Sequence, residues 1–123
     1  MKISGRWSNQ NGSILHIHDE NNKITGKYKT KIGSADLTKS YKVVGFRNDK
    51  CLGFTVSWRP ESDSITSWTG LLVKTQKQLE LHTLWTLVTQ SKIKPNEKGF
   101  TSVPVLPWEA FSVQSSIFIL NRA

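Results

Sequence analysis

Apolar and polar residues alternate with a period of two along most of this chain, as in strands with one buried and one solvated face. Successive side chains of a strand point to opposite faces, so Phe54, Val56 and Trp58 share one side of the run Phe54-Thr55-Val56-Ser57-Trp58. The runs Ser64-Ile65-Thr66-Ser67-Trp68 and Leu81-His82-Thr83-Leu84-Trp85 follow the same rule, and no segment carries a helical period. The pattern predicts strands over 4–9, 13–19, 24–30, 40–47, 52–59, 64–72, 79–89 and 111–120. Turn chemistry separates them at Asn11-Gly12, Asp19 to Asn22, Ile32-Gly33-Ser34, Asn48-Asp49, Arg59 to Asp63 and Lys74 to Gln78. Eight strands joined by short turns predict an all-β protein, an eight-stranded antiparallel up-and-down β-barrel formed by one domain over residues 1–123. The stretch from Gln90 to Pro107, with Pro95, Gly99, Pro104 and Pro107, is too long and proline-rich for a tight turn and is expected to be an ordered surface excursion over a barrel mouth.

The inner face of that barrel is not uniformly apolar. Sorting by parity groups Trp7, Asn9, Asn11 and Ser13, then Tyr28, Thr30 and Ile32, then Ser64, Thr66 and Trp68, then Thr83, Trp85 and Leu87. A hydroxyl or amide facing an interior beside tryptophan needs a partner, and a polar small molecule is one such partner. An eight-stranded barrel is wide enough to be filled by side chains or to hold one small ligand. The mixture favours a lumen that is apolar at one end and lined by hydrogen-bonding groups at the other.

Composition narrows the remaining classes. The 123 residues are enough to bury a core without staples, and the single cysteine, Cys51, forms no intramolecular disulfide. No apolar run approaches the roughly 18 residues a membrane helix needs, and Met1 leads straight into strand-like sequence with no apolar signal region. Lys and Arg number 17 against 9 for Asp and Glu, a net charge of +8, which raises nucleic acid or an anionic surface as a partner. The lysines are scattered with no dense run, as expected of solvated strands protected against edge pairing. His16, His18 and His82 fall on faces opposite the pocket positions, so no Ser-His-acid or Cys-His pairing arises, and His16 with His18 offers two ligands where a structural metal site usually takes four. No enzyme, metal or cofactor is expected.

Gly5-Arg6-Trp7-Ser8-Asn9-Gln10-Asn11-Gly12-Ser13, Ile24-Thr25-Gly26-Lys27-Tyr28, Gly53 to Trp58, Ser64 to Gly70 and Thr83 to Leu87 resemble the avidins in order and spacing, and Trp108 precedes Ser116 and Phe118 at the family's distance. The resemblance implies binding of biotin and biotinylated molecules, with no nucleic-acid or membrane partner and a secreted or periplasmic setting. It implies that Asn9, Ser13 and Tyr28 donate hydrogen bonds to the ureido oxygen, that Thr30 accepts from a ureido N–H, and that Thr66 meets the sulfur. By the same resemblance Ser64, Ser34 and the loop around Ile32 hold the tail carboxylate, and Trp58, Trp68 and Trp85 with Leu87 form an apolar box. Trp108 would cover the ligand of a neighbouring subunit in a homotetramer, a dimer being the alternative.

Three positions depart from the family pattern. Ser116 stands where the avidins carry Asp or Asn, Asn11 replaces an apolar pocket residue and either turns outward or sits at the ligand rim, and the segment from Gln90 to Pro107 is longer than the family's loop. These leave two alternatives to tight biotin capture: a drifted barrel with weaker biotin affinity or another small heterocycle as ligand, and a basic barrel stacking single-stranded nucleic acid on outward tryptophans.

Overall fold

The structure is a computed structural model that describes residues 1–30, 39–96 and 99–121. Its strands are β1 (Gly5–Asn9), β2 (Ile14–Glu20), β3 (Lys23–Lys29), β4 (Tyr41–Asn48), β5 (Cys51–Ser57), β6 (Ser64–Lys74), β7 (Leu79–Thr89), β8 (Ser91–Asn96), β9 (Gly99–Pro104) and β10 (Phe111–Asn121). Eight of them close an antiparallel barrel in the order β1-β10-β7-β6-β5-β4-β3-β2. The eight strands expected from the alternation are these, each with both limits within two residues of the predicted ones.

The expected excursion differs in kind. It is an antiparallel hairpin, β8 on β9, followed by a short 3-10 turn over Pro107–Glu109. Pro95 and Pro104 hide this hairpin from a sequence reading, because proline is excluded from central strands and tolerated where a strand has an open edge. In a two-stranded ribbon both strands have one, so Pro95 sits opposite Phe100 and Pro104 opposite Ser91. Backbone bonds tie the base of the hairpin to the barrel rim: Gln90 donates to Asp63 at 3.2 Å, Val105 to Gln90 at 3.1 Å and Thr89 to Ala110 at 2.9 Å.

The connections alternate between two ends. The β2–β3, β4–β5 and β6–β7 turns lie with the N-terminus at the base, and the β1–β2 turn, the segment joining β5 to β6, the hairpin, the end of β3 and the start of β4 lie at the mouth. Asn21 and Asn22, at φ 52° and 69°, make the tight β2–β3 turn in the left-handed region that asparagine tolerates. Arg47, its side chain only 10% exposed, fastens the base by donating to Asp19 Oδ2 at 2.9 Å, to the Met1 carbonyl at 3.0 Å and to the Asp49 carbonyl at 2.7 Å.

Inside, each strand grades from aliphatic at the base to polar or aromatic at the mouth. Ile3, Ile17, Ile24, Leu52, Leu72, Leu79, Leu81 and Leu120 fill the lower half, and Trp7 joins them by donating its indole N–H to the Ile3 carbonyl at 2.9 Å. Gly45 permits a close approach there: a Cβ at this position would overlap the Gly53 carbonyl and lie 2.6 Å from Phe54 Cα. That space lets Phe54 stack on Trp68 at 5.0 Å and 15°, which starts the aromatic layer above.

Candidate functional site

The upper half of the lumen is built by residues one pleat step above the aliphatic floor. Above Leu15 stands Ser13, above Leu81 stands Thr83 with Trp85 and Leu87 beyond, and on β6 the inner positions above Leu72 and Gly70 are Trp68, Thr66 and Ser64. Ser13, Thr30, Ser64, Thr66, Thr83 and Ser116 are all buried, an unusual concentration of hydroxyls for a core. A buried hydroxyl without a partner is costly, so their bonds define the site.

At one side Asn9, Ser13, Tyr28 and Thr30 converge. The Asn9 side-chain oxygen accepts the backbone N–H groups of Asn11 and Ser13, each at 3.0 Å, which closes the β1–β2 turn. Those bonds assign the amide orientation and commit its oxygen to the turn, leaving the NH₂ as the half available to a ligand. Ser13 donates to Thr30 Oγ1 at 3.2 Å. Burial pushes the Tyr28 phenol above its ordinary value, and its hydrogen bond with Ser13 pulls it partly back, so the group stays a protonated donor at neutral pH.

Opposite this cluster lies an aromatic wall. Tyr28 contacts Trp68 at 4.9 Å, Trp58 at 5.8 Å and Phe118 at 6.2 Å, and Trp68 contacts Trp85 at 6.5 Å. Two indoles are held by the hydroxyl layer: Trp58 donates to Thr66 Oγ1 at 2.8 Å, and Trp85 donates to Ser116 Oγ at 3.2 Å. Thr66 therefore keeps its own O–H to offer. Thr83 donates to the Ser116 carbonyl at 2.8 Å, and Ser64 shares a 2.7 Å bond with Ser62 at the rim.

The predicted residues Asn9, Ser13, Tyr28, Thr30, Trp58, Ser64, Thr66, Trp68, Trp85, Leu87 and Ser116 all belong to the mouth half of the barrel, where Trp85 and Leu87 are partly buried against the core. Ile32 and Ser34 lie outside the described residues. Trp108 does not line this lumen; it stands 76% exposed on the 3-10 turn. Asn11 is exposed in the β1–β2 turn, which selects the outward alternative. Trp7, Trp58 and Trp68 are buried inside, so of the outward tryptophans that single-strand stacking calls for the barrel shows one exposed, Trp108, and not a row of them.

Two features escaped the sequence. Tyr41 packs edge-on against Trp58 at 4.8 Å, and the alternation of Tyr41, Val43 and Gly45 carried the signal for its inward direction. At the rim Lys39 donates to Glu61 at 2.6 Å, a bond that lowers the Glu61 carboxyl below its usual range. Only the fold joins these two residues, which are 22 positions apart. Among the described residues no group of His, Cys, Asp and Glu could hold a metal ion.

The family model described as the Avidin family matches residues 1–104. Afifavidin of Afifella pfennigii is 30% identical over 110 residues, 82% of this chain and 69% of that protein. Among solved structures, apo shwanavidin superposes with a TM-score of 0.76 at 25% identity, over 98% of each chain. A complex of short afifavidin with biotin superposes with a TM-score of 0.71 at 24% identity, over 98% of this chain and 90% of that one, a likeness of fold.

Proposed function

We propose, since this chain belongs to the avidin family, that its barrel holds one biotin per chain in the mouth half of the lumen, by non-covalent binding without catalysis. One observation carries the reading: Asn9, Ser13, Tyr28 and Thr30 converge beside a wall of Trp58, Trp68 and Trp85 above an aliphatic floor. A cyclic urea presents one strong acceptor flanked by two N–H donors. Asn9 Nδ2, Ser13 Oγ and Tyr28 Oη supply donors for the oxygen, and Thr30 accepts one N–H. The ligand then replaces the single Ser13 to Thr30 bond with separate bonds to each hydroxyl. Groups fixed on strands lose little freedom in doing so.

Ser116 accepts the second ureido N–H while still accepting from the Trp85 indole, with a shorter reach than the Asp or Asn it replaces. Thr66 directs its O–H to the ligand sulfur, and Ser64, with Ser34 and the loop at Ile32, takes the tail carboxylate. The tryptophan box with Leu87 removes about 300 Å² of ligand surface from water, roughly 7 kcal/mol at 25 cal/mol per Å², which alone corresponds to affinity near micromolar. The polar cluster supplies the rest.

We read the assembly as a homotetramer rather than a dimer. Support comes from the outer face of β6, β7 and β10, where Ile65, Leu71, Leu84, Val88, Phe111, Val113 and Ile117 are all exposed, an apolar surface of the kind that interfaces cover. Trp108, exposed beside Phe111, would then reach a neighbouring subunit's ligand. Calorimetric titration tests the function: one biotin per chain with an affinity insensitive to salt supports it, and no heat with biotin overturns it in favour of another heterocycle.

A further inference from the structure

Strand register gathers on one outer wall basic side chains that lie far apart in the sequence, Arg6, Lys27 and Lys42 carrying the charge. Arg6 on β1 pairs with His16 on β2, His16 with Lys27 on β3, and Lys27 with Lys42 on β4. All four side chains are exposed, so they stand as one row across four adjacent strands. At about 4.8 Å between strands the row is about 14 Å long. Lys23 and Lys29, also exposed, flank Lys27 on the same face of β3. Among the described residues none of these six side chains is in an ion pair; Glu20, the acidic side chain on this wall, stands opposite Lys23 at the base end and lies 3.6 Å from His18, away from Arg6, Lys27 and Lys42.

The wall is placed to stay open. In the barrel order β2, β3 and β4 lie across from β6, β7 and β10, which carry most of the exposed apolar residues, while β1 adjoins β10 and β4 itself exposes Val44 and Phe46. Pairing of barrels through that apolar face leaves His16, Lys27 and Lys42 pointing away, with Arg6 at its margin. An uncompensated row of like charge costs folding free energy through repulsion, and an anionic partner that neutralises it recovers that cost.

The shape of the row selects among anions. It follows the curve of the barrel across three of the eight strand-to-strand steps, more than a third of the circumference. A flat bilayer meets only a narrow strip of such a convex wall, and duplex DNA, with a persistence length of about 150 base pairs, is too stiff to follow it. A single-stranded nucleic acid bends enough but binds best where bases stack on aromatic rings. The aromatic on this wall, Phe46, pairs with Lys23, four residues along β3 from the row and about 13 Å away. We propose that this wall binds a flexible acidic polysaccharide, whose sulfate or carboxylate groups pair with Arg6, Lys27 and Lys42 in succession along the chain of sugars.

The test uses the full chain and a heparin oligosaccharide as probe, titrated at several salt concentrations beside a thymidine oligonucleotide and anionic phosphatidylglycerol vesicles. Two triple variants remove the same charge from different places: Arg6→Gln/Lys27→Gln/Lys42→Gln from the row, and Lys50→Gln/Lys74→Gln/Lys77→Gln from the base. Heparin binding should weaken with salt, and the row variant should bind about tenfold more weakly with a shallower salt slope, while the base variant stays within about twofold of the parent. Both variants should unfold cooperatively at or above the parent's melting temperature, the row variant gaining from relieved repulsion, and keep the parent's biotin titration, which shows that they fold. Equal losses in the two variants would reduce the effect to net charge and overturn the site. Tighter binding of the oligonucleotide or the vesicles than of heparin would overturn the choice of partner, and no heparin binding by the parent would overturn the proposal outright.

Discussion

Changing Tyr28 to phenylalanine removes one oxygen from the polar end of the lumen and nothing else. The ring is 4% exposed and keeps its packing on Trp68 at 4.9 Å, Trp58 at 5.8 Å and Phe118 at 6.2 Å. Without ligand the loss is small, because Ser13 retains its bond to Thr30, so folding stability should change by less than about 1 kcal/mol. With biotin present the ureido oxygen loses one of three donors inside a dry site. A neutral hydrogen bond contributes about 1 kcal/mol, and a buried acceptor left short of a partner costs up to about 3 kcal/mol. The dissociation constant should therefore rise by between about fivefold and about 150-fold. Calorimetry in competition with a weaker biotin analogue reads the affinity, and thermal unfolding of the ligand-free variant reads the fold. An affinity within about threefold of the parent, with unchanged unfolding, would mean that the phenol does not touch the ligand and would refute the assignment of this cluster.

Three further outcomes follow from the packing. Gly45→Ala should destabilise the barrel by about 3 kcal/mol, since the new methyl meets the Gly53 carbonyl and the Phe54 backbone, neither of which can yield; an unchanged melting temperature would contradict that contact. Arg47→Met should cost about 2 kcal/mol by leaving the largely buried Asp19 carboxylate without its cation while sparing biotin affinity, because the clasp lies at the base, far from the mouth; denaturant unfolding and a biotin titration check the two halves. Alkaline pH should weaken the fold through Tyr28: its folded value is raised, so its contribution is full below the unfolded value near 10 and is lost as pH rises through the folded one. Melting temperature against pH, less steep above about 10 in Tyr28→Phe than in the parent, is the measurement.

Much of this fold was legible because alternation is local information. The inner parity of Phe54, Val56 and Trp58, or of Ser64, Thr66 and Trp68, needs no knowledge of neighbours, and both sets are buried. Strand ends were legible to within two residues because Asn21-Asn22 and Asn48-Asp49 carry their own turn chemistry. The β8–β9 hairpin was not legible, since Pro95 and Pro104 argue against strands until an unpaired edge is known to be available. Of the site, the residue types and their direction were legible, but not their bonds. That Trp58 would be held by Thr66 and Trp85 by Ser116 depends on cross-strand placement, as does the use of the Asn9 oxygen to close its own turn. The row from Arg6 to Lys42 makes the same point most sharply: lysines that look scattered along the chain become neighbours only when register is known.

A crystal structure of the chain with biotin tests the central claim most directly. The ureido oxygen should lie within about 3.2 Å of Asn9 Nδ2, Ser13 Oγ and Tyr28 Oη, with the bicyclic ring against Trp58, Trp68 and Trp85 and a ureido N–H on Thr30. Biotin bound outside the barrel, or inside it with the urea turned away from those three donors, would contradict the account.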